Sequence, residues 1–458
     1  KDTVILDDGN IVIGNDLNSG NQSESITIQN EQSILSKASY ILNSFVAANS
    51  AVPETTASIP VTNSPVKPGS GNFGIASSTA PDINFTYPTE DNGTYLTRNN
   101  IVVNVSVIGD NLSNITVWLY NSTGLYNASN STVNPFFINF TDLPGDIYTF
   151  NASAINLSGN INYTETRTIY VPILLTGCGT LDRVGGYYNL ANNVWLNGTC
   201  FNITANSIIF DGRGYTVNYS TNGSKGWGFN LTRVNYTTIK NTNIREGRAI
   251  TYTGANTQID AAITLYYSNN NTLVNNTLFT FGTAANGIIV YGNSSNNNVS
   301  SNNITLAGSD VYGIELGSYD GGNINSRFNI IYSNNITFIS GIIVGRTPLG
   351  INIYLSNFTN ITSNAIRTTA NGYAYGLVDV GDNSYIAKNN ITVGCIAINA
   401  QSRTSLIENN VVSSGSCSAG SYNFGIYGRV PFTRIYSKSP VVFLRTASIH
   451  CFIISGGL

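Results

Sequence analysis

The chain has 458 residues, of which only 10% are charged, against roughly 25% in an average soluble protein. It carries 21 basic and 24 acidic side chains, and 67 Asn with 94 Ser plus Thr make up about a third of it. So even a balance leaves no electrostatic footprint for nucleic acid or an anionic membrane, and charge-patterned coiled coils are excluded with them. No apolar run approaches the ~20 residues of a membrane-spanning helix. Residue 1 is Lys, Met is absent and no basic-then-apolar segment opens the chain, so the expectation is a processed mature protein or a fragment.

Residues 1–50 predict a short N-terminal segment, with a strand-like patch over Thr3 to Ile13 and one amphipathic helix where Ile34, Ala38, Leu42 and Phe45 recur at helical spacing. Residues 51–81 are rich in Pro, Ser, Thr and Ala and cannot bury a core, which predicts a linker. Over 82–172 the apolar residues alternate, as in Ile101, Val103, Val105 and Val107, with turn clusters such as Asp91-Asn92-Gly93 between runs. About seven short strands in ~90 residues predict an antiparallel sandwich. The stretch resembles the Ig-like domains of microbial surface proteins, without their Cys pair.

From Cys178 to Gly428 a degenerate repeat of the form apolar-x-x-Asn-x-apolar appears. Its copies are Leu273/Asn276/Leu278, Val299/Asn302/Ile304, Ile331/Asn334/Ile336, Ile386/Asn389/Ile391 and Leu406/Asn409/Val411, with weaker ones at Ile239/Thr242/Ile244 and Tyr354/Asn357/Thr359. A Gly followed by an apolar residue trails most copies, at Gly287-Ile288, Gly313-Ile314, Gly341-Ile342, Gly376-Leu377 and Gly425-Ile426. Such a unit holds short strands that cannot close a core alone, but stacked at the ~4.8 Å strand spacing they enclose one. Asn at the same turn of each coil suits a left-handed corner and can bond the coils above and below. The predicted fold class is therefore all-β, a right-handed parallel β-helix of nine or ten coils over 173–428, preceded by the linker and the Ig-like sandwich. The Asn-Asn-Ile-Thr segments and Gly-Ile pairs resemble the β-helix repeat proteins of the NosD and pectate-lyase superfamily, which implies a fold and no particular activity. Residues 429–458 contain no Asn and lack the repeat, and read as an atypical C-terminal segment.

Cys178 and Cys200 are 22 apart, as are Cys395 and Cys417. One coil of that length returns the chain one strand spacing away, so two end-stapling disulfides are expected, together with an oxidising, extracellular or cell-surface location. Cys451 is left over. Asn-x-Ser/Thr sequons number 28, about twice the random rate, which fits either a glycoprotein or a strand pattern that places Thr after a turn Asn.

Metal and nucleophile chemistry is sparse. The single His, His450, lies outside the repeat, so no His-based triad or zinc site can be built within it. Polygalacturonase-like β-helices carry Asn-Thr-Asp and Gly-His-Gly; here Asn241-Thr242-Asn243 lacks the acid and Gly-His-Gly is absent. What remains for catalysis is Asp310, Glu315 and Asp320, with Arg327 and Arg346 nearby. The resemblance to lyase-type β-helices implies carboxylates holding Ca²⁺ and an Arg or Lys as base. The competing expectation is that Glu315, next to Ile314, is an ordinary solvated position on the outer face. Tyr312 and Tyr319 are candidate sugar-stacking rings. The expected function is binding or display, directed at a carbohydrate or a neighbouring surface molecule, with no cofactor. The alternatives are a Ca²⁺-assisted polysaccharide lyase and a structural spacer.

Overall fold

The computed structural model describes residues 3–7, 10–14 and 79–436, apart from 248–259, 309–310, 318–325, 340–347, 369–373, 403, 415–423 and 429–433. The helix expected around Ile34 to Phe45 and nearly all of the expected linker lie outside the described residues. The chain divides between Phe73 and Gly74 into two compact units. In the first, Thr3–Asp7 and Asn10–Gly14 pair as an antiparallel hairpin.

The second unit begins with a two-sheet sandwich. Asp82–Phe85, Ile101–Ile108 and Phe136–Phe140 form one antiparallel sheet. The other is centred on Leu112–Asn121 and Asp146–Asn156, and its single parallel pairing joins Thr94–Tyr95 to Arg167–Val171. Period-two alternation sends Ile101, Val103 and Val105 from one sheet, and Ile115, Val117 and Leu119 from the other, into a shared core with Tyr148 and Phe150.

Only Pro172 separates this sandwich from Ile173–Leu175, the first strand of a parallel sheet that has eleven strands among the described residues. Parallel sheets of ten and nine strands complete three walls, and the chain visits them in rotation. Thr238–Lys240, Asn243–Glu246 and Asp260–Tyr266 are followed by Thr272–Val274, Thr277–Thr280 and Ala285–Tyr291, each paired with its counterpart one coil earlier. That arrangement is a parallel β-helix, with the right-handed crossover such units adopt. Its interior is one continuous core, aromatic in the first coils at Phe201, Phe210 and Phe229 and dominated by Ile, Leu and Val afterwards.

The corner between the eleven- and nine-stranded sheets is two residues long in each of seven successive coils, from Lys240/Asn243 to Glu408/Val411. The first corner residue is left-handed, at Asn241, Asn275, Ser301, Ser333, Ser363, Lys388 and Asn409, with φ between 53 and 59°. The second points inward and forms a ladder. Asn334 donates from its backbone N and its Nδ2 to Asn364 Oδ1 (2.9 and 3.0 Å), and from Nδ2 to Val299 O (2.8 Å). Its own Oδ1 accepts both donors of Asn302 at 3.0 Å. The expectation that the ladder Asn itself takes the left-handed conformation is corrected here. The strained residue is the one before it, which needs only a side chain directed outward, while the ladder residue must aim its amide along the helix axis.

Two copies of the repeat take a different frame from the one the spacing predicts. Ile361/Asn364/Ile366 occupies the place given to Tyr354/Asn357/Thr359, since Ile361 pairs with Ile331 and Ile366 with Ile336. The final copy is Ile407/Asn410/Val412, one residue later than read, and Val411 is exposed. Consecutive Asn409-Asn410 permits both frames, and only the left-handed conformation of the first distinguishes them. Likewise Gly350-Ile351 aligns with Gly313-Ile314, while Gly341-Ile342 lies outside the described residues. Many sequons follow from the same geometry: in Asn303-Ile304-Thr305 and Asn390-Ile391-Thr392 the middle residue faces the core and its neighbours face out. The eleven-stranded sheet also continues past the change in composition, to Arg434–Tyr436.

Cys178 and Cys200 are joined in a disulfide across adjacent coils, with Cα atoms 4.8 Å apart. Cys395 is also disulfide-bonded, and the other two cysteines, Cys417 and Cys451, lie outside the described residues. Sandwich and helix are tied together by Arg183, which donates to Gly145 O (2.8 Å) and Ser122 Oγ (3.2 Å) and pairs with Asp146. Tyr95 stacks on Tyr170 at 4.1 Å and meets the edge of Tyr187 at 5.2 Å. Burial, with the neighbouring Tyr170 second, pushes the Tyr95 hydroxyl up to about 12.

Candidate functional site

The corner between the nine- and ten-stranded sheets is the opposite of the ladder corner. It holds long connections from Glu246 to Asp260, Phe338 to Leu349, Thr368 to Tyr375 and Ser414 to Phe424, all bordering the ten-stranded sheet. Long connections on a regular scaffold are where binding surfaces concentrate.

The outer face of that sheet carries a column fixed by register: Asn202, Asn230, Thr264, Ile289, Glu315, Asn352, Val378 and Asn399. Each alternates with an inward Ile, Leu or Val, so each points away from the core. Yet Thr264 is 2% exposed, Ile289 and Glu315 4%, Asn399 7% and Val378 8%. Outward and buried together mean that this stretch of the outer face is covered. Within it Thr264 Oγ1 and Asn399 Oδ1 have no hydrogen-bond partner, which is costly for buried polar atoms.

Glu315 is held at the middle of this column. Asn286 Nδ2 donates to Glu315 Oε2 at 3.2 Å, and the backbone N–H of Tyr312 donates to Asn286 Oδ1 at 2.8 Å. The second bond fixes which end of the amide meets the carboxylate. Two residues along from Thr264 and Ile289, Tyr266 and Tyr291 stack on the same face, with ring centroids 4.5 Å apart and planes 27° from parallel. Tyr267 meets Tyr266 edge-on at 4.4 Å, and the Arg233 guanidinium lies 6.0 Å from the Tyr267 ring. Two more buried acids lie away from this column, beside the core residue Tyr219 where the nine- and ten-stranded sheets meet. Glu246 Oε2 accepts the N–H groups of Phe281 and Gly282 (2.8 Å each), and Asp260 Oδ1 accepts that of Gly226 (3.0 Å). Burial, then these two carboxyls, raises the Tyr219 hydroxyl well above its usual range.

Of the residues singled out in the sequence, Glu315 and Tyr312 lie on this face. The reading of Glu315 as solvated is corrected: its direction is outward, as alternation requires, but it is covered. Arg327 sits elsewhere, exposed in a two-stranded sheet with Ser356–Asn357. Asp310, Asp320, Arg346 and Tyr319 lie outside the described residues. Among the described residues, no group of three or more His, Cys, Asp or Glu is placed to hold a metal ion. Sequence reasoning missed Glu246, Asp260, Thr264, Asn286 and Asn399. The first two carried a signal, being acids inside the repeat of a chain with few charges; the others become visible only through register across coils.

No family model and no curated protein matches this chain. Among solved structures it is similar to a mutant of the periplasmic alginate epimerase AlgG, at 11% identity and a TM-score of 0.39, over 63% of this chain and 78% of that one. A Paenibacillus alginate lyase matches at 14% identity and a TM-score of 0.34, over 55% and 99% of the two chains. A Yersinia enterocolitica family 28 exopolygalacturonase matches at 12% and 0.24, over 82% and 98%. Identities and scores this low carry nothing about activity, and the assignment to the right-handed parallel β-helix fold rests on the strand pairing itself.

Proposed function

We propose that this is an extracellular or cell-surface protein that binds a carbohydrate chain along the outer face of its ten-stranded sheet. The observation that carries the reading is the pair of buried, unpartnered acceptor and hydroxyl atoms, Thr264 Oγ1 and Asn399 Oδ1, in one column with Asn202, Asn230, Glu315 and Asn352. Hydroxyls and amides of this kind pair with sugar hydroxyls, and the stacked Tyr266 and Tyr291 offer ring faces to a pyranose. The coil rise of ~4.8 Å is close to the length of one sugar unit, so a glycan lying along the helix axis meets equivalent positions coil after coil. The Cys178–Cys200 disulfide supports an oxidising location.

A second reading is supported by the Asn286–Glu315 contact. A buried carboxylate with a fixed partner is suited to acid–base work on a glycan, as in a glycan-degrading enzyme such as a polysaccharide lyase. Glycan-array screening of the full chain tests the first reading: retention of a defined glycan class, lost in Tyr266→Ala, is the expected result, and no binding to any glycan overturns it. Incubation with acidic polysaccharides, with and without Ca²⁺, tests the second through the appearance of unsaturated products.

A further inference from the structure

One inward column of the ten-stranded sheet runs Leu231, Leu265, Val290, Leu316, Ile353, Asp379 and Ala400, as the register fixes. Six of these seven are aliphatic. Asp379, with no exposure at all, stands where every preceding coil places a branched apolar side chain. The local sequence is built around it. Ser384 Oγ donates to Asp379 Oδ1 at 3.1 Å, the Gly381 N–H to the same oxygen at 3.2 Å, and Ser405 Oγ to Oδ2 at 2.6 Å. Ser402 in turn donates to Ser405 at 2.5 Å. Ala400, smaller than the residues below it in the column, leaves room for the two serines of the next coil.

We propose that Asp379 makes the C-terminal coils of the β-helix pH-sensitive, tighter in mild acid than at neutrality. Among the described residues no charged group pairs with the carboxylate. Among the described residues, the titratable groups on its own strand and on the elements packed around it are Tyr354, Tyr375, Asp382, Tyr385 and Glu408, of which Tyr375 is half-buried at the start of the strand. Tyr385 and Glu408 lie on the outer side of the eleven-stranded sheet, where the Tyr385 hydroxyl donates to Glu408 Oε1. Tyr354 follows inward Ile353 and faces out, and Asp382 is half-buried at the corner. Arg403, on the neighbouring corner, lies outside the described residues. Burial moves the Asp379 carboxyl from its ordinary 3.8 to about 6, with the serine hydroxyls and the Gly381 amide opposing the shift. The folded coils therefore hold a proton that the opened chain releases near 3.8. Stability from this group is complete below 3.8 and is lost as pH rises through about 6. Across that window the local opening equilibrium grows by about a factor of 100, tenfold per unit of separation between the two values.

The test is hydrogen–deuterium exchange on the full chain between pH 4 and 7, corrected for the intrinsic pH dependence of exchange. The expected result is an opening equilibrium that rises about a hundredfold in Tyr375–Asp379, Ile396–Ala400 and Leu406–Glu408. Strands Phe201–Ile203 and Ile101–Ile108 should show no such rise. Asp379→Asn, which keeps the shape and cannot ionise, should flatten the response in the C-terminal coils. A pH-independent equilibrium there in the unmodified protein overturns the proposal, as does an unchanged response in the variant. If the variant fails to fold, the regional contrast in the unmodified protein decides alone. Neither outcome bears on glycan binding.

Discussion

Two corners of the same β-helix obey opposite rules. Between the eleven- and nine-stranded sheets the chain turns in two residues in seven successive coils from Lys240 to Val411, and a ladder of Asn side chains from Asn276 to Asn410 runs through the turn. Between the nine- and ten-stranded sheets the connection ranges from two residues, Val393 to Ile396, to thirteen, Glu246 to Asp260. The first corner satisfies its backbone internally, coil by coil, and sets the register. That freedom lets the second vary, and the buried polar column of the ten-stranded sheet lies beside it. Rigidity on one side of the coil thus permits diversity on the other, the division expected when a site is mounted on a scaffold.

Breaking the fixed corner should have the largest effect. Ile336 has no exposure and stacks between Ile304 and Ile366; Ile336→Asp would bury an unpaired carboxylate, at a cost of about 4 kcal/mol or more. Asn335→Ala, one residue earlier and half-buried with a single bond to Asn303, should cost less than about 1 kcal/mol. Urea denaturation of the two variants checks the inward assignment. A similar loss in both would remove it.

Asn334→Ala comes next. It leaves the backbone and side-chain donors of Asn302, the Oδ1 of Asn364 and the carbonyl of Val299 short of a partner in a buried corner, for about 3 kcal/mol. On the variable side Asn230→Ala removes a half-buried bond to Asn202 and an exposed one from Thr232 and should cost about 0.5–1 kcal/mol. If the two losses proved equal, the fixed corner would not be the element that sets stability.

The same contrast explains what the sequence made legible. A corner of constant length yields a constant spacing, so apolar-x-x-Asn-x-apolar could be read directly and gave the fold. It failed at Tyr354 to Thr359 and at Leu406 to Val411, because an Asn can fit the pattern without occupying the ladder. The buried outer column was illegible for a different reason. Alternation shows which way Glu315 and Thr264 point but not that they are buried, and Thr264 and Asn399 share a column only through five successive pairings. Asp379 was hidden likewise, since nothing local in Gly376-Leu377-Val378-Asp379 says that its column is otherwise aliphatic.

A smaller effect is expected where the ten-stranded sheet approaches the ladder wall. A Cβ on Gly313 would run into the carbonyl oxygen of Gly350 and Cγ2 of Ile336. Neither atom is the end of a flexible chain, so the coil must shift, and Gly313→Ala should cost about 2 kcal/mol. Thermal unfolding measures it, and a variant as stable as the parent would show that this wall yields more readily than the fixed corner.

The smallest expected change in stability carries the sharpest statement about function. Thr264 is 2% exposed and its Oγ1 has no partner, so Thr264→Val exchanges a buried, unsatisfied hydroxyl for a methyl group of the same shape. Removing such a group is neutral or stabilising, by up to about 1 kcal/mol. In a purely structural sheet that gain would be the whole effect. In a binding face the hydroxyl is the group that the ligand satisfies, and the same substitution should weaken glycan binding about tenfold, the equivalent of one lost hydrogen bond of ~1.4 kcal/mol. Stability from denaturant titration and affinity from glycan binding are therefore expected to move in opposite directions. A variant that gains stability and keeps full affinity would detach Thr264 from the ligand, and a variant that loses stability would show that its hydroxyl is satisfied within the fold.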